Sequence, residues 1–587
     1  MRKGIVLFIL GAVIFVLSPQ SSALPLQGVW IDVRSIPTTH EGIQELVERL
    51  KQAHCNVLFV ESFYRGETIY PSRFLKEQGC PQQMATFDSA GLDPLGVFID
   101  EAHHHGMQVH AWFDMFYVGL DEPGPLLSRF PEWATRGRDG NPGYVQGGRR
   151  FFFLCPLHPG VLEFFKGLLG EVVRNYNLDG VHLDYFRFPD PVVFDACYCD
   201  TCRKAFTERY GQDPLRLDPL NTFEEYKNWV TFRAEGLTEF AEELTAYLRT
   251  IRPDVFLSCA VKPSGFPLEG YPGFLQDWPS WGRKGLFDFL IPMTYSSRPA
   301  EFEGLLVWIR TFAKETPFAA GVWCAGMNAE TIAEEIQRAK RHTPLGVVLF
   351  AYPYLSDEIL AFLAQNAFTE PSQAISREDY HRAPLPLSPQ DFLAHRRTIV
   401  ARRVKDPILV DGVLETAWES ADWQKGFAHL VEGQPKNDTH VAVLFDQENL
   451  YVAYLLEGEA SEGTITQKDG PVFYDDSVEL FLDPWLSRSF FVQLATNLLG
   501  TQYDASSLFG SRFDGTWHVA IGKREGKTIV EFGIPFTTLG RTTPQREERW
   551  GVNFCRNNIA LQEFSTWSRM PGIYGAAFFF GDLVFRP

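Results

Sequence analysis

Beyond its first 23 residues the chain has no apolar run long enough to cross a bilayer as a helix, which argues against a polytopic helical membrane protein. It is also short of positive charge. Lys and Arg number 54 against 73 Asp and Glu, for a net charge of -19, whereas nucleic acid and anionic lipid surfaces favour clustered Lys and Arg. No nucleic-acid partner and no integral membrane partner is expected. No HExxH, Walker loop, nucleophile elbow or dinucleotide fingerprint stands in a supporting context, which weakens metalloprotease, nucleotide and oxidoreductase readings. No metal or other cofactor is expected for catalysis.

Cysteine is scarce, and its count of nine is odd, so at least one thiol is unpaired within the chain if the others form bridges. "CYCDTC" places Cys197, Cys199 and Cys202 in one short loop. A disulfide, with Cys155 or Cys80 as a partner, and a structural zinc with a fourth ligand elsewhere both fit that spacing. A catalytic thiol fits less well, because no His-containing motif accompanies the loop.

What is present begins with "MRKGIVLFILGAVIFVLSPQSSA": Arg2 and Lys3, an apolar run, then small residues at Ser21 and Ala23. That is the pattern of a cleaved secretory signal, with an uncleaved anchor as the alternative, so a secreted or periplasmic location is expected. A length of 587 residues exceeds what one core usually organises. Aromatic residues reach 14%, mostly for cores, although flat rings also stack on sugars.

From residue 24 to 368 short β-rich runs alternate with amphipathic helical stretches. The strand candidates are "GVWIDV", "NVLFVESF", "MQVHAWFDMF", "GVHLDYFRF", "VFLSCAV", "FDFLIPMTY", "FAAGVWCAG" and "GVVLFAYPYL". Eight such strands with intervening helices predict an α/β fold, a (β/α)8 TIM barrel. In that fold chemistry sits at the C-terminal strand ends, so polar residues just past each apolar run matter most: Asp32, Glu61, Asp114, Asp184 with Arg187, Lys262, Tyr295 and Trp323.

Cleavage of a glycosidic bond generally needs two carboxyl groups flanking it. Asp184 in "GVHLDYFRFP" is the first catalytic candidate; its structural alternative is an aspartate that fastens the loop by pairing with Arg187. Asp114 and Glu61, ending the two preceding strands, compete for the second role, and each could equally hold loops. Arg187, Tyr185, Trp112, Tyr295, Trp323 and Lys262 are candidates to orient or stack on substrate. His110 is counted with them, although it lies within a strand, where a hydrogen-bonded core histidine is the commoner outcome. "AHHHG", His103 to His105, sits at a helical C-terminus and reads as a solvent-facing cap.

Residues 369–405, rich in Pro, Ser and charge, read as a linker or a strap across the barrel. From 406 to 587 the runs "HVAVLFD", "NLYVAYLL", "SVELFLDP", "FFVQLAT", "TIVEFGIPF" and "WGVNFCRN" predict an all-β sandwich. Trp418, Trp423, Trp517, Trp550 and Trp567 are either core or a binding platform. Asp475, Asp476, Glu479 and Asp483 form either a solvated turn or a structural calcium site.

"NVLFVESFYRGETIYPS", "DPLGVFIDEAHHHGMQVHAWFD", "LCPLHPGVLEFFKGLLGEVVRNYNLDGVHLDYFRFP" and "FDFLIPMTY" together resemble the bacterial family 10 glycosyl-hydrolase-like barrels over most of residues 26–355. The resemblance implies a (β/α)8 hydrolase of extracellular or cell-wall glycans, some relatives being peptidoglycan glycan-strand hydrolases. Many members carry a paired aspartate in the strand-four motif; here Tyr185 follows Asp184. Relatives often have Asn at the Asp114 position and Gln at the Glu61 position. "ILVDGVLETAWESADW", "KDGPVFYDDSVELFLDP" and "VEFGIPFTTLG" resemble family 9 carbohydrate-binding modules across 407–587, which implies a jelly-roll-like sandwich of a kind that binds sugar through aromatic rings and holds calcium. The expected function is an exported glycoside hydrolase acting on a polysaccharide or oligosaccharide, the rival being a sugar-binding protein on a barrel scaffold whose acid pair has decayed.

Overall fold

The computed structural model describes residues 24–587 apart from 220, 268–271, 371–373, 385, 432, 459–460, 462 and 511; the expected signal segment, 1–23, lies outside the described residues. Eight parallel strands form the first unit: β1 (Leu26–Ile31), β2 (Val57–Tyr64), β3 (Gln108–Asp114), β4 (Gly180–Asp184), β5 (Phe256–Val261), β6 (Phe289–Pro292), β7 (Ala319–Trp323) and β8 (Gly346–Phe350). They pair in the order β6-β5-β4-β3-β2-β1-β8-β7. The seam between β6 and β7 is closed by the parallel bridges Leu290↔Phe318 and Met293↔Gly321. All eight predicted strands are therefore present, as a nearly closed TIM-like barrel.

Each helix covers the outside of the strand before it. α1 (His40–Gln52) buries Ile43, Leu46, Val47 and Leu50, a helical stripe, and Thr39 caps it by accepting the Gly42 N–H at 3.1 Å. α2 (Pro94–His104), α3 (Pro159–Asn175), α4 (Asp200–Tyr210), α5 (Phe223–Ile251), α6 (Trp278–Arg283), α7 (Pro299–Ala313), α8 (Ala329–His342) and α9 (Asp357–Asn366) follow. The histidine triplet ends α2 as expected for a cap, His103 pairing with Asp179 at 2.9 Å and His105 with Glu48 at 3.4 Å.

Strand alternation sorts the side chains into two cores. Val29, Ile31, Leu58, Val60, Val109, Phe113, Val181 and Leu183 face the helices. The opposite parity, Leu26, Trp30, Val57, Phe59, Trp112, Phe256, Phe289, Ile291 and Val348, fills the barrel lumen. That lumen parity, continued upward, reaches Asp32, Glu61, Asp114, Asp184, Lys262, Tyr295, Trp323 and Phe350. Continued downward it reaches His110, whose ring lies against Gly180: a Cβ there would stand 2.3 Å from its Nδ1.

Residues 374–384 form a strap across the lower mouth of the barrel, whereas 398–403, expected within the linker, are a strand of the second unit. Tyr380 plugs the lumen, donating its hydroxyl to Gln108 Oε1 at 2.7 Å and meeting His110 Nε2 at 3.0 Å, while its ring lies 3.9 Å from that of Phe256. Tyr380→Phe would strand two buried polar partners, which costs about 1–3 kcal/mol. A urea midpoint lowered accordingly, with unchanged saccharide affinity at the far mouth, is the expected outcome.

The second unit is all β: β9 (Thr398–Arg403), β10 (Thr439–Phe445), β11 (Asn449–Leu456), β12 (Ser477–Asp483), β13 (Val492–Asn497), β14 (Gln502–Ser506), β15 (His518–Arg524), β16 (Lys527–Pro535), β17 (Arg549–Asn558) and β18 (Gly581–Arg586). The order is β14-β13-β12-β17-β18-β9-β10-β11-β16-β15. β9 joins the two halves, pairing in parallel with β18 and then, at Arg402 and Arg403, with β10. Val478, Leu480 and Phe554 from one half meet Val443, Val452 and Phe532 from the other in the sandwich core.

Trp418, Trp517, Trp550 and Trp567 are buried core residues and Trp423 is half-buried, so they form no exposed platform. The four acids of the YDDSVELFLD stretch do not converge. Asp475 accepts the Thr464 and Ile465 N–H groups, Asp476 those of Ser461 and Ile559, and Asp483 those of Ser487 and Arg488, while Glu479 is held by Asn557 and Gln493.

The sandwich docks on the barrel's helices. Phe223 meets Phe490 with ring centroids 5.0 Å apart, and Arg298 donates to the Phe473 carbonyl at 2.9 Å. At Gly304 of α7 the two backbones touch: a Cβ would lie 2.3 Å from the Gly572 carbonyl oxygen.

Candidate active site

At the C-terminal ends of the strands a cleft of about 390 Å³ opens. Glu61, Asp114 and Asp184 line it, as do Trp112, Tyr185, Arg187, Lys262, Tyr295 and Trp323. Of the residues expected at the site, His110 is the one that does not reach it. It has the lumen parity but lies two residues below Trp112 and four below Asp114, fully buried over Tyr380, so burial pushes its imidazole well below the usual range, to about 3.

β3 and β4 pair in register, Asp114 opposite Asp184, so their Cα atoms stand about one strand spacing, ~4.8 Å, apart. Glu61 lies one strand further along, where the β2–β3 register shifts between Glu61 and Phe63. Such a bulge re-aims a side chain at the strand end. Glu61 Oε2 accepts the Val33 N–H at 2.6 Å.

Asp184 is held by two donors, the Tyr185 N–H at 2.6 Å and Arg187 Nη1 at 3.2 Å, both on Oδ1. Tyr185 itself adopts a left-handed φ of 46°, costly for a bulky residue and characteristic of sites where geometry is over-determined. The fastening ion pair expected as the structural alternative is present, and it leaves Asp184 lining the cleft.

The electrostatics separate the acids. Burial, opposed by the Val33 N–H and reinforced by Asp32 and Asp184, lifts the Glu61 carboxyl to about 8. Burial, with Glu61 and Asp184 beside it, pushes Asp114 well above the ordinary carboxylate range, although Trp112 donates to its Oδ1 at 3.1 Å. Burial next to Arg187 lowers Lys262 to about 8.

Aromatic rings wall the cleft on two sides. Trp323 lies 5.4 Å from Tyr295 and 5.5 Å from Phe350, centroid to centroid, and its Nε1 is anchored to the Ala325 carbonyl. Opposite, Tyr117 lies 5.0 Å from Tyr185 and 6.1 Å from Tyr64. Tyr64, Tyr117, Arg34, Met293 and Phe350 are lining residues that sequence reasoning missed. The lumen parity of β8 would have found Phe350. Tyr117 lies in the hairpin after β3, for which no periodic signal exists.

A barrel with convergent carboxyl groups and aromatic walls at its strand ends, followed by a β-sandwich, places the chain among the glycoside-hydrolase-like barrels that carry a carbohydrate-binding-type module. The family model described as Glycosyl hydrolase-like 10 matches residues 25–342, more than half of the chain, and that described as Carbohydrate family 9 binding domain-like matches 410–585. The chain belongs to the glycosyl hydrolase-like 10 family.

Among its relatives, the glycosyl hydrolase DigH of Escherichia coli strain K12 is 25% identical over 345 residues, covering 51% of this chain and 72% of DigH. The glycosyl hydrolase YngK of Bacillus subtilis strain 168 is 23% identical over 354 residues, covering 54% of this chain and 65% of YngK. Of solved structures, the PgaB (BpsB) glycoside hydrolase domain from Bordetella bronchiseptica superposes with a TM-score of 0.46 at 13% identity, covering 59% of this chain and 100% of that one. A family 9 carbohydrate-binding module from Caldicellulosiruptor kristjanssonii in complex with cellotriose gives 0.25 at 15% identity, covering 32% and 94%.

Proposed function

We propose that the protein is an exported glycoside hydrolase that cuts an O-glycosidic bond of an extracellular or cell-wall polysaccharide by carboxyl acid/base chemistry, the sandwich domain holding it to carbohydrate. The observation that carries this reading is the meeting of four carboxyl groups, those of Asp32, Glu61, Asp114 and Asp184, and two aromatic walls in one strand-end cleft. No redox cofactor enters the proposal.

Glu61 is the proton donor in this reading. A general acid works best when its pKa lies near the operating pH, and burial lifts the Glu61 carboxyl to about 8. Asp184 is the base, with Oδ1 committed to Tyr185 and Arg187 and Oδ2 assigned to the attacking water. Glu61 and Asp184 stand two strand spacings apart, roughly 9–10 Å at the backbone, on either side of Asp114. Asp114, between them, hydrogen-bonds the sugar.

Trp323, Tyr295 and Phe350 supply a face for the ring. Trp323→Ala is expected to raise KM about tenfold or more with a smaller change in kcat, by analogy with the loss of a Trp anchor at an interface. Steady-state kinetics on an oligosaccharide series read the split.

The second reading, sugar recognition without cleavage, is favoured by one observation: Glu61, Asp114 and Asp184 are only 3%, 1% and 6% exposed. Reducing-end release across a panel of polysaccharides separates the two. Release by the wild type that disappears in Asp184→Asn supports the hydrolase, and binding without release on every glycan supports the second reading. Export is tested by fractionation, with the chain expected outside the cytoplasm and shortened at its N-terminus.

A further inference from the structure

The structure brings Cys155 to the three cysteines of the CYCDTC loop. Cys155 follows the hairpin strand Arg149–Phe153, and Cys202 lies in the first turn of α4. The four Sγ atoms all lie within 4.8 Å of one another, with Cys155–Cys202 at 3.4 Å and Cys155–Cys199 at 3.6 Å. Among the described residues this is the group of metal-capable side chains that converges, and all four are buried.

We propose that Cys155, Cys197, Cys199 and Cys202 hold a structural Zn²⁺ that fastens the loop 185–199 to the barrel rim.

The geometry discriminates between the candidates for this cluster. A zinc–sulfur bond of about 2.3 Å in a tetrahedron sets sulfur–sulfur edges near 3.8 Å, whereas a disulfide requires about 2.05 Å. The Cys155–Cys202 and Cys155–Cys199 separations, 3.4 and 3.6 Å, lie close to that edge and far outside a disulfide bond. Burial of isolated cysteines as small apolar groups accounts for Cys55, Cys80, Cys259, Cys324 and Cys555, which stand apart from this group, but not for four sulfurs converging on one point. The backbone also prepares the site. The α4 N-terminus, where Cys199 occupies the cap position, favours negative charge there. On binding, each thiol releases its proton to solvent and its sulfur donates an electron pair to the metal, with no change of oxidation state.

Position gives the site its consequence. The loop it closes leaves β4 at Asp184 and carries Tyr185 and Arg187, the two groups that hold Asp184. The Cys155 N–H is in turn tied to the Trp133 carbonyl at 2.7 Å, so the clamp joins the β3 and β4 loops. The zinc is thus a positioning element for one wall of the cleft, whether that wall serves hydrolysis or binding.

The test uses the wild-type protein expressed with zinc supplied and freed of loose metal by gel filtration. Elemental analysis is expected to give one zinc per chain. Peptide mapping is expected to give four unbridged cysteines, and a mercurial titration is expected to release the metal as those thiols react. In Cys199→Ser/Cys202→Ser the zinc is expected to fall to background and saccharide affinity to weaken. Substoichiometric zinc in the wild type, one iron in its place, or a disulfide joining Cys155 to the loop would overturn the proposal, and none of these readouts depends on the variant folding.

Discussion

Asp184→Asn is expected to lower kcat by about 10³-fold or more on any glycan the wild type cleaves, while oligosaccharide binding persists. The side chain keeps its size and its contact with the Tyr185 N–H, but it can no longer take a proton from water. The same change removes the carboxylate that faces Arg187, a pair whose side chains are each only 9% exposed. Breaking a buried pair from one side costs about 3–5 kcal/mol, so the variant is expected to melt earlier. Kinetics are therefore read well below its melting transition, with calorimetric binding of the oligosaccharide as proof that the cleft survives. A variant that binds sugar and retains wild-type turnover would remove Asp184 from the chemistry.

Glu61→Gln is expected to lower kcat by roughly 10²–10⁴-fold on natural linkages and far less on aryl glycosides, whose leaving group departs without a proton. Its pH signature follows from the raised setting of about 8. A carboxyl lifted that far is protonated at neutral pH, so wild-type activity is present below about 8 and falls as pH rises through it. The alkaline limb vanishes in Glu61→Gln. Lys262 titrates in the same range, losing its charge above about 8, so the limb is assigned by comparison with Lys262→Met, which is expected to retain it. The same shift bears on stability. The folded state holds the Glu61 proton to higher pH than the unfolded chain, so this contribution is present below the ordinary carboxyl value and is lost as pH rises toward 8.

Much of the barrel was legible because its strands are short apolar runs with polar ends, and the period of two carries Asp32, Glu61, Asp114 and Asp184 to one mouth once the parity is known. Depth was not legible. His110 has the same parity as Asp114, and only the position of the strand ends shows that it belongs to the lower layer, sealed by a tyrosine some 270 residues later in the chain. The strap was readable as a linker from its composition, but not its plug, because Tyr380 acts through a long-range contact that leaves no local pattern. The sandwich tryptophans invited a binding role, and burial decided otherwise for four of them, Trp517, Trp550 and Trp567 in the inter-sheet core and Trp418 on the outer face of β10 and β11. Cys155 could be proposed as a partner of the CYCDTC loop but not placed, since the approach of the β3 and β4 loops is a product of barrel closure.

The departure from the pattern of its relatives also acquires a physical reading. In the proposed hydrolase, with Tyr185 following Asp184, the second acid comes from a neighbouring strand. Glu61 and Asp114 stand at that mouth, and burial raises the carboxyl of each above its ordinary range.

The central claim is that a glycosidic bond is cut between Glu61 and Asp184. A crystal structure of Asp184→Asn with a bound oligosaccharide tests it most directly: the account predicts a glycosidic oxygen within hydrogen-bonding distance of Glu61 and a sugar ring against Trp323. A saccharide bound with no linkage near Glu61, or a cleft that stays empty while the sandwich alone is occupied, would contradict it.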